Sequence, residues 1–352
     1  MQNKLTSPIE VGILGATGMV GQRYIQLLEN HPWFRITWLA ASDRSAGKTY
    51  AEAAKWRLDT PCPERIAAMT IAPATPEGAP HVIFASVDTA IAREMEPAFA
   101  AAGHAVVSNS SAFRMAPDVP LVLPEVNADH LDLLEQQSWR KSSGGYIVAN
   151  SNCTVMGPVL ALKPLDQLFG VEQIFATSMQ AVSGAGYPGV ASMDILDNVV
   201  PYIATEEEKM EAEALKLLGS FHGTSVTPLN ARMSASCNRV PVLDGHTVCL
   251  SVKLRTPATR EQILDAWQNF RPLQGKGLPF APEQPVYYAP EPDRPQPRLD
   301  RNRGNGMSAT VGRLRPCNLL DWKFVVLSHN TVRGAAGATI LNAELLHSLG
   351  KL

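Results

Sequence analysis

The stretch VGILGATGMVGQRY, residues 11–24, takes a short apolar run directly into a glycine-rich turn and then into a helical pattern. Gly15, Gly18 and Gly21 form a variant of the dinucleotide fingerprint, with one extra residue between the first two glycines. Glycines here allow a tight turn and a close backbone approach, while the helix N-terminus offers N–H groups to a pyrophosphate. The stretch therefore predicts a dinucleotide site at a strand-to-helix junction; a tight turn without a ligand is the alternative.

Around this stretch, strand-like runs alternate with helical patterns through the first 150 residues. The strand-like runs are EVGILGA, RITWLAA, HVIFASV, HAVVSNS and YIVANSN, and the helical patterns are GQRYIQLLENH and IAREMEPAFAAAGH. This alternation predicts an α/β fold that begins with a Rossmann-like, doubly wound parallel sheet. From about residue 170, longer alternating stretches such as HTVCLSVKL, and a proline-rich segment from Pro272 to Pro297, predict a second, α+β domain with an irregular excursion.

Composition narrows the class of partner. A chain of 352 residues with 45% hydrophobic and 18% charged residues is typical of a globular protein of two domains. A net charge of -2 provides no basic field for nucleic acid, so a small-molecule partner is expected. Neither a run of about 18 apolar residues nor a signal-peptide pattern occurs, which predicts no membrane partner and a cytoplasmic location. Five cysteines without C-x-x-C spacing argue against a disulfide framework and against a metal site.

The loop after the second strand bears on the choice of cofactor. An acidic residue about 20 positions after the glycines would bind the ribose 2′-hydroxyl of NAD. Here the loop carries Ser42, Asp43, Arg44, Ser45 and Lys48, and its hydroxyls and cations suit the 2′-phosphate of NADP. If Asp43 faced the ribose, the preference would move toward NAD, and an ordinary solvated loop is a third interpretation.

Cys153 stands between the strand YIVAN and the helical run TVMGPVLALKPLDQL. Packing is the commoner role of a cysteine, but the positive end of a helix favours thiolate. A thiolate that attacks an acyl group forms a thioester, which a hydride can reduce. We therefore predict that Cys153 is an activated nucleophile. The remaining cysteines are predicted to be structural or incidental, with ordinary or raised pKa values: Cys62, Cys237, Cys249 and Cys317.

A second group of polar residues lies in CNRVPVLDGHTVCLSVKL. His246 shares its strand parity with Val248 and Leu250, which places it on the apolar face. A satisfied core histidine and a general acid/base are the two interpretations. Arg239 offers a planar fork for a carboxylate.

Six stretches, taken together and in order, resemble the aspartate-semialdehyde dehydrogenase family over essentially the whole chain. They are GATGMVG at 15–21, SNCT at 151–154, QAVSGAGYPG at 180–189, NRVPVLDGH at 238–246, DRPQPRLDR at 293–301 and NTVRGAAGATILNAE at 330–344. The SNCT form and EEEK at 206–209 are more similar to the archaeal and fungal branch than to the common bacterial one.

The resemblance implies roles for individual residues. Cys153 would be the nucleophile, His246 the acid/base, and Gln180 the residue that helps to orient Cys153 and the acyl group. The implied substrate contacts are Arg239 for the amino-acid carboxylate, Arg114 and Lys209 for phosphate, Glu206 (with Glu207 or Glu208 left open) and Asn152. The implied cofactor contacts are Gly15, Thr17, Gly18, Met19, Val20, Ser42, Arg44, Ser45, Lys48, Ser86, Ser183, Gly184 and Asn330.

The resemblance also implies a domain division and a reaction. Residues 1–152 would form the NADP-binding domain, completed by a C-terminal helix at 331–352, and residues 153–330 the catalytic and dimerisation domain of a homodimer or homotetramer. The implied reaction is the NADPH-dependent reduction of L-aspartyl 4-phosphate to L-aspartate 4-semialdehyde and phosphate, toward lysine, methionine and threonine. An acyl-CoA reductase similar to malonyl-CoA reductase is the alternative enzyme, and a non-catalytic NADP-binding sensor is the alternative outside catalysis.

Overall fold

The computed structural model describes residues 7–352. Within this range, six parallel strands form a first sheet in the order β2-β1-β3-β4-β6-β5. The strands are β1 Ile9–Leu14, β2 Phe34–Ala40, β3 Val82–Ala85, β4 Ala105–Ser108, β5 Leu121–Val122 and β6 Tyr146–Asn150. The helices of this region are α1 Met19–Leu28, α2 Tyr50–Ala53, α3 Glu64–Ala67, α4 Thr89–Ala101, α5 Pro124–Asn127 and α6 Ser138–Ser142, with a 3₁₀ segment at Ala128–Gln136.

The first sheet is covered on both faces, which makes it doubly wound. Val82 and Phe84 of β3 lie in the apolar cluster on the side of α1, whereas Ile83 and Ala85 lie in the cluster on the side of α4. This alternation follows from the two-residue period of a strand. The predicted fold class is confirmed, and β5, only two residues long, is the strand that the sequence analysis did not predict.

A second, mixed sheet of six strands has the order β10-β7-β11-β14-β13-β12 within the described range. Its strands, with the small hairpin β8–β9, are β7 Val171–Gln180, β8 Ser220–Phe221, β9 Val226–Thr227, β10 Arg232–Arg239, β11 His246–Leu254, β12 Val286–Ala289, β13 Ala309–Pro316 and β14 Trp322–Ser328. The accompanying helices are α7 Cys153–Phe169, α8 Ser192–Ile195, α9 Glu206–Leu217, α10 Arg260–Asn269, α11 Pro297–Asp300 and α12 Gly337–Ser348, with 3₁₀ segments at Val182–Ala185 and Arg303–Gly306 and a π-helical segment at Val332–Ala336.

Helix α7 joins the two sheets through the larger apolar cluster. Val155, Val159 and Leu162 are fully buried in that cluster together with residues of both sheets. A helix that is apolar on nearly all sides is stable only in such an interior. One face of the second sheet packs here, while Phe175 and Cys249 lie exposed on its other face.

The last helical segment returns to the first sheet. Ile340, Leu341 and Leu345 pack in the cluster on the α1 side, and the helix ends at Ser348, short of the predicted end at 352. Buried polar contacts accompany this packing, since Glu344 contacts His31 at 2.8 Å. Within residues 7–352, no helix has the length and hydropathy needed to cross a membrane.

Candidate active site

Two sheet edges meet at the site. In the first sheet, β6 ends at Asn150, and the turn Ser151-Asn152 then leads into α7 at Cys153. In the second sheet, β7 ends at Gln180, opposite Arg239 at the end of β10. Strand β11 runs antiparallel to β7 and therefore begins at the same edge, with His246. The strand ends thus place four predicted site residues around one space.

Cys153 and His246 are in direct contact. The Cys153 Sγ lies 3.2 Å from the His246 Nε2, although the residues are far apart in the chain. The backbone N–H of Ala181 donates to the His246 Nδ1 at 3.1 Å. Because Nδ1 accepts this hydrogen bond, the neutral imidazole carries its proton on Nε2, and that N–H points at the sulfur. A doubly protonated ring would set an N–H against the Ala181 N–H.

Burial keeps both groups neutral. Burial, together with the nearby charge of Glu206, raises the pKa of the Cys153 thiol to about 12. Burial also lowers the pKa of His246 to about 3, and the charge of Arg239 adds to this effect. The expectation that the helix N-terminus lowers the Cys153 pKa is therefore wrong, because desolvation of the charged form outweighs the helix dipole here.

The other cysteines follow the prediction with one exception. Burial raises the pKa of Cys62, Cys237 and Cys249, as expected. For Cys317, burial alone would raise the pKa. Hydrogen bonds, chiefly from the backbone of residues 319 and 320, lower it by more than burial raises it, so the net shift of the pKa is downward. The prediction of an ordinary or raised value is wrong for Cys317, because the backbone geometry of its turn could not be foreseen.

A cavity of 430 Å³ opens onto Cys153. Its lining brings together the predicted substrate residues Asn152, Gln180, Arg239, Arg114, Lys209 and Glu206, with Ser183, Gly184 and Asn330. Glu206 is buried and accepts hydrogen bonds from Asn152 Nδ2 at 3.0 Å and Thr154 Oγ1 at 3.2 Å. By contrast, Glu207 accepts from the Cys237 backbone N–H, and Glu208 is exposed. The placement therefore favours Glu206 among the three.

A larger cavity of 980 Å³ adjoins the first, and Met19 and Val20 line both. The remaining predicted cofactor residues in its lining are Thr17, Gly18, Arg44 and Ser86. Gly15 has a φ of +89°, and a methyl group there or at Gly21 would overlap backbone atoms. The predicted Ser42, Ser45 and Lys48 lie on the same loop as Arg44 but outside the lining, and Asp43 is exposed.

The groups around the larger cavity fit a dinucleotide. Helix α1 begins after Gly18, which has no side chain to cap it, so the first N–H groups of the helix remain available to an anion. The absence of side-chain atoms at Gly15 and Gly21 brings the backbone of the turn close together, as a pyrophosphate site requires. Arg44 supplies a cation to the lining.

The sequence analysis missed a pair that borders the larger cavity. The Arg57 guanidinium lies 3.5 Å from the centre of the Tyr187 ring, and both residues line the cavity. Gln22 holds the Arg57 segment, since its Oε1 accepts from the Arg57 N–H and its Nε2 donates to the Lys55 carbonyl. In the sequence, only Tyr187 in the GAGYPG stretch indicated this pair. Its contact with Arg57 could be recognised only in the folded structure. Glu213 and Lys216 were also missed.

Comparison with known proteins places this arrangement in a family. The family model described as "Semialdehyde dehydrogenase, NAD binding domain" matches residues 10–134, and "Semialdehyde dehydrogenase, dimerisation domain" matches residues 162–333. The aspartate-semialdehyde dehydrogenase of Archaeoglobus fulgidus is 51% identical over 96% of this chain and 97% of that protein. The aspartate-semialdehyde dehydrogenase of Schizosaccharomyces pombe is 48% identical over 96% of this chain and 97% of that protein. The chain belongs to the aspartate-semialdehyde dehydrogenase family.

Solved structures of the family agree with the fold. The aspartate-semialdehyde dehydrogenase of Candida albicans, solved with NADP, has a TM-score of 0.91 and 44% identity and covers 98% of this chain and 100% of its own. Aspartate-semialdehyde dehydrogenase II of Vibrio cholerae, solved as a complex with ASA, has a TM-score of 0.76 and 26% identity and covers 97% and 99%. The predicted resemblance, including its archaeal and fungal emphasis, is confirmed.

Proposed function

We propose that this protein reduces L-aspartyl 4-phosphate to L-aspartate 4-semialdehyde and phosphate with NADPH, within lysine, methionine and threonine biosynthesis. The observation that carries the proposal is the contact between the Cys153 Sγ and the His246 Nε2, beside an ionic cavity that adjoins the glycine-lined dinucleotide cavity. A nucleophilic thiol in a substrate cavity that adjoins a cofactor cavity is what a reductive acyl transfer requires. Similarity to aspartate-semialdehyde dehydrogenases over nearly the whole chain supports the proposal.

The substrate residues have complementary tasks in this proposal. Arg239, buried at the end of β10, binds the amino-acid carboxylate, and the Glu206 carboxylate binds the amino group. Arg114 and Lys209 bind the phosphate group from the other side of the cavity. Asn152 is held by Glu206 and keeps the nucleophile turn in place. The acyl carbon then lies between these groups, next to Cys153.

The proposed chemistry uses His246 as a hydrogen-bond donor. The Cys153 sulfur bonds to the acyl carbon, the C–O bond to phosphate breaks, and the thiol proton leaves with the phosphate. NADPH, when bound, supplies a hydride to the thioester carbon. The His246 Nε2–H and the Gln180 side chain stabilise the resulting oxyanion, whose collapse breaks the C–S bond and releases the aldehyde. The thiolate then takes a proton from water. The family resemblance implies acid/base catalysis by His246; its lowered pKa and the Ala181 contact favour the donor role instead.

The cofactor proposal rests on Arg44 and on the glycine turn. Thr17, Gly18, Met19 and Val20 contribute the helix start and backbone N–H groups that face a pyrophosphate, and Arg44 binds the 2′-phosphate that distinguishes NADP. A Candida albicans relative solved with NADP supports this choice. Ser42, Ser45 and Lys48 are proposed as supporting contacts from the same loop.

We further propose that residues 1–152, with the C-terminal helical segment, form the cofactor domain and residues 153–330 the catalytic domain. The match to a dimerisation domain indicates oligomerisation. A homodimer or homotetramer is proposed, with the exposed sheet face around Phe175, which is 48% exposed, as its contact surface. Light scattering coupled to size-exclusion chromatography distinguishes the two states.

The deciding experiment is the reverse reaction with aspartate semialdehyde and NADP. We expect NADPH formation that requires inorganic phosphate, with arsenate as a substitute. CoA in place of phosphate should give no NADPH. Oxidation that depends on CoA would identify an acyl-CoA reductase, and NADP binding without turnover of any aldehyde would identify a non-catalytic protein.

A further inference from the structure

One face of helix α9 carries four charged residues, of which Glu206 and Lys209 line the substrate cavity. Glu206, Lys209, Glu213 and Lys216 are spaced by three or four residues, which places them on the same side of a helix. Glu206, Glu213 and Lys216 are all buried, at 8%, 1% and 6% exposure. The proposed reaction uses the first two of the four. The other two make contacts that a solvated helix surface would not make.

Glu213 joins two elements of the site that are distant in sequence. Its Oε1 accepts a hydrogen bond from Arg114 Nη1 at 3.0 Å. Its Oε2 accepts from the Ser151 hydroxyl at 2.9 Å and from the Asn152 backbone N–H at 2.7 Å. One carboxylate therefore connects the proposed phosphate-binding arginine to the turn that precedes Cys153.

Lys216 holds the other side of Arg114. Its Nζ donates to the carbonyl oxygens of Arg114, Ala116 and Val119, at 2.7, 2.9 and 3.2 Å. A lysine ammonium has three donors, and all three are used on this loop. Arg114 Nη2 is in turn held by the Asn109 carbonyl at 2.9 Å. The Arg114 backbone and guanidinium are thus both held, while Arg114 still lines the cavity.

We infer that Glu213 and Lys216 are positioning residues, which set Arg114 and the nucleophile turn at a fixed separation so that the phosphate group and the Cys153 sulfur meet the same substrate. The inference rests on the proposed function. Its chemical basis is that Glu213 must accept from donors on both of its oxygens. A glutamine has one acceptor and one donor group, so Glu213→Gln must lose either the Arg114 contact or the Ser151-Asn152 contacts, whichever way it turns.

The test compares Glu213→Gln, Lys216→Met and a control, Glu211→Gln, in the NADP-bound protein. Glu211 lies on the same helix but does not line the substrate cavity, and its Oε1 accepts a hydrogen bond from the backbone N–H of Ala235. Because a buried hydrogen bond to a charged group is lost, Glu213→Gln should raise the KM for phosphate and lower kcat by about 10- to 100-fold each. The hydrogen bonds that Lys216→Met removes all go to the Arg114 loop, so this change should raise the phosphate KM similarly but leave the rate of iodoacetamide labelling of Cys153 within about twofold. NADP affinity should remain unchanged in all three variants.

Three outcomes would overturn the inference. If Glu213→Gln has the same phosphate KM and the same kcat as Glu211→Gln and differs only in a lower unfolding midpoint, Glu213 is purely structural. A phosphate KM that falls would show that Glu213 acts through its charge, since removing a carboxylate beside Arg114 makes the cavity more positive. If the effects of Glu213→Gln and Arg114→Ala on phosphate binding add fully in the double variant, Glu213 does not act through Arg114.

Two further measurements keep the inference testable. If Glu213→Gln does not fold, Lys216→Met still tests whether the held loop sets phosphate affinity. Calorimetric titration of inorganic phosphate into wild type and variants separates the inference from the proposed function. Wild type that binds phosphate but does not oxidise aspartate semialdehyde would refute only the function, and the variants would still report on positioning. Wild type that binds no phosphate would overturn both.

Discussion

Replacing Gly184 by alanine tests the geometry of the site with a single methyl group. Gly184 has no side chain, and a Cβ at this position would lie 2.9 Å from Arg239 Nη1, 3.0 Å from His246 Cε1 and 3.1 Å from His246 Nε2. Its backbone is not in the left-handed region, so alanine is sterically allowed by the main chain. The three nearest contacts of the added methyl group are therefore all with the two functional side chains.

The size of the effect follows from these distances. Non-bonded carbon contacts are ordinarily about 3.5 Å or longer, so His246 and Arg239 must move by about 0.5 Å. Since a misplacement of about 1 Å costs about 100-fold in rate, we expect kcat/KM for aspartate semialdehyde to fall about 10- to 100-fold. The fold should survive, because overpacking typically costs about 1–3 kcal/mol.

The assay is phosphate-dependent NADP reduction, with each KM measured separately and stability measured by urea unfolding. Gly18→Ala is a useful contrast, because a Cβ there meets only the Gly15 oxygen at an ordinary 3.5 Å, and it lies on the cofactor turn. Gly18→Ala should raise the KM for NADP and leave the aldehyde KM unchanged. If Gly184→Ala instead raises the NADP KM alone, Gly184 serves the cofactor and the packing argument is refuted.

Four other outcomes are expected. Cys153→Ser should keep the fold and NADP binding but lower kcat by orders of magnitude, because an alkoxide forms far less readily than a thiolate; a near-normal rate would contradict nucleophilic catalysis by Cys153. Since burial raises the Cys153 pKa to about 12, iodoacetamide labelling of this residue, followed by peptide mass mapping, should increase with pH and reach no plateau below about pH 10; a plateau near neutrality would indicate a thiolate–imidazolium pair. Arg44→Ala should raise the KM for NADP, but not for NAD, by the equivalent of about 1.5–3 kcal/mol, and equal effects would refute the 2′-phosphate assignment. Arg333→Met should lower the free energy of unfolding by about 3–5 kcal/mol, measured in urea, because it leaves the buried Glu125 without its partner at 2.7 Å; the additional change Glu125→Met should restore part of the loss.

The strands and the dinucleotide turn were predictable because they depend on local pattern. Buried parallel strands are short apolar runs, and the glycines mark the turn directly. The two-residue β5 and the strand at Val286–Ala289 were missed because prolines on both sides cut their apolar runs short, and they are recognised as strands only through pairing with their neighbours.

Within the site, residue identities were more predictable than their electrostatics. Cys153, Gln180, Arg239 and His246 stand at strand or helix ends, and the fold brings them together there. The direction of the Cys153 pKa shift was missed because burial is a tertiary property that competes with the local helix dipole. The same limit applies to Glu213, which belongs to a charged helix pattern that usually indicates a solvated surface.

The π-helical segment Val332–Ala336 is the last part of the active site to be synthesised. Gly334 packs against the nucleophile so closely that a Cβ there would lie 2.5 Å from the Cys153 Cβ. This segment follows β14 and leaves the ribosome after every strand of both sheets. A nascent chain that extends only to Ser328 already contains Cys153, Gln180 and His246 but lacks the segment that packs against the Cys153 Cβ. Gly334 therefore packs against Cys153 only after all strands of both sheets have been synthesised.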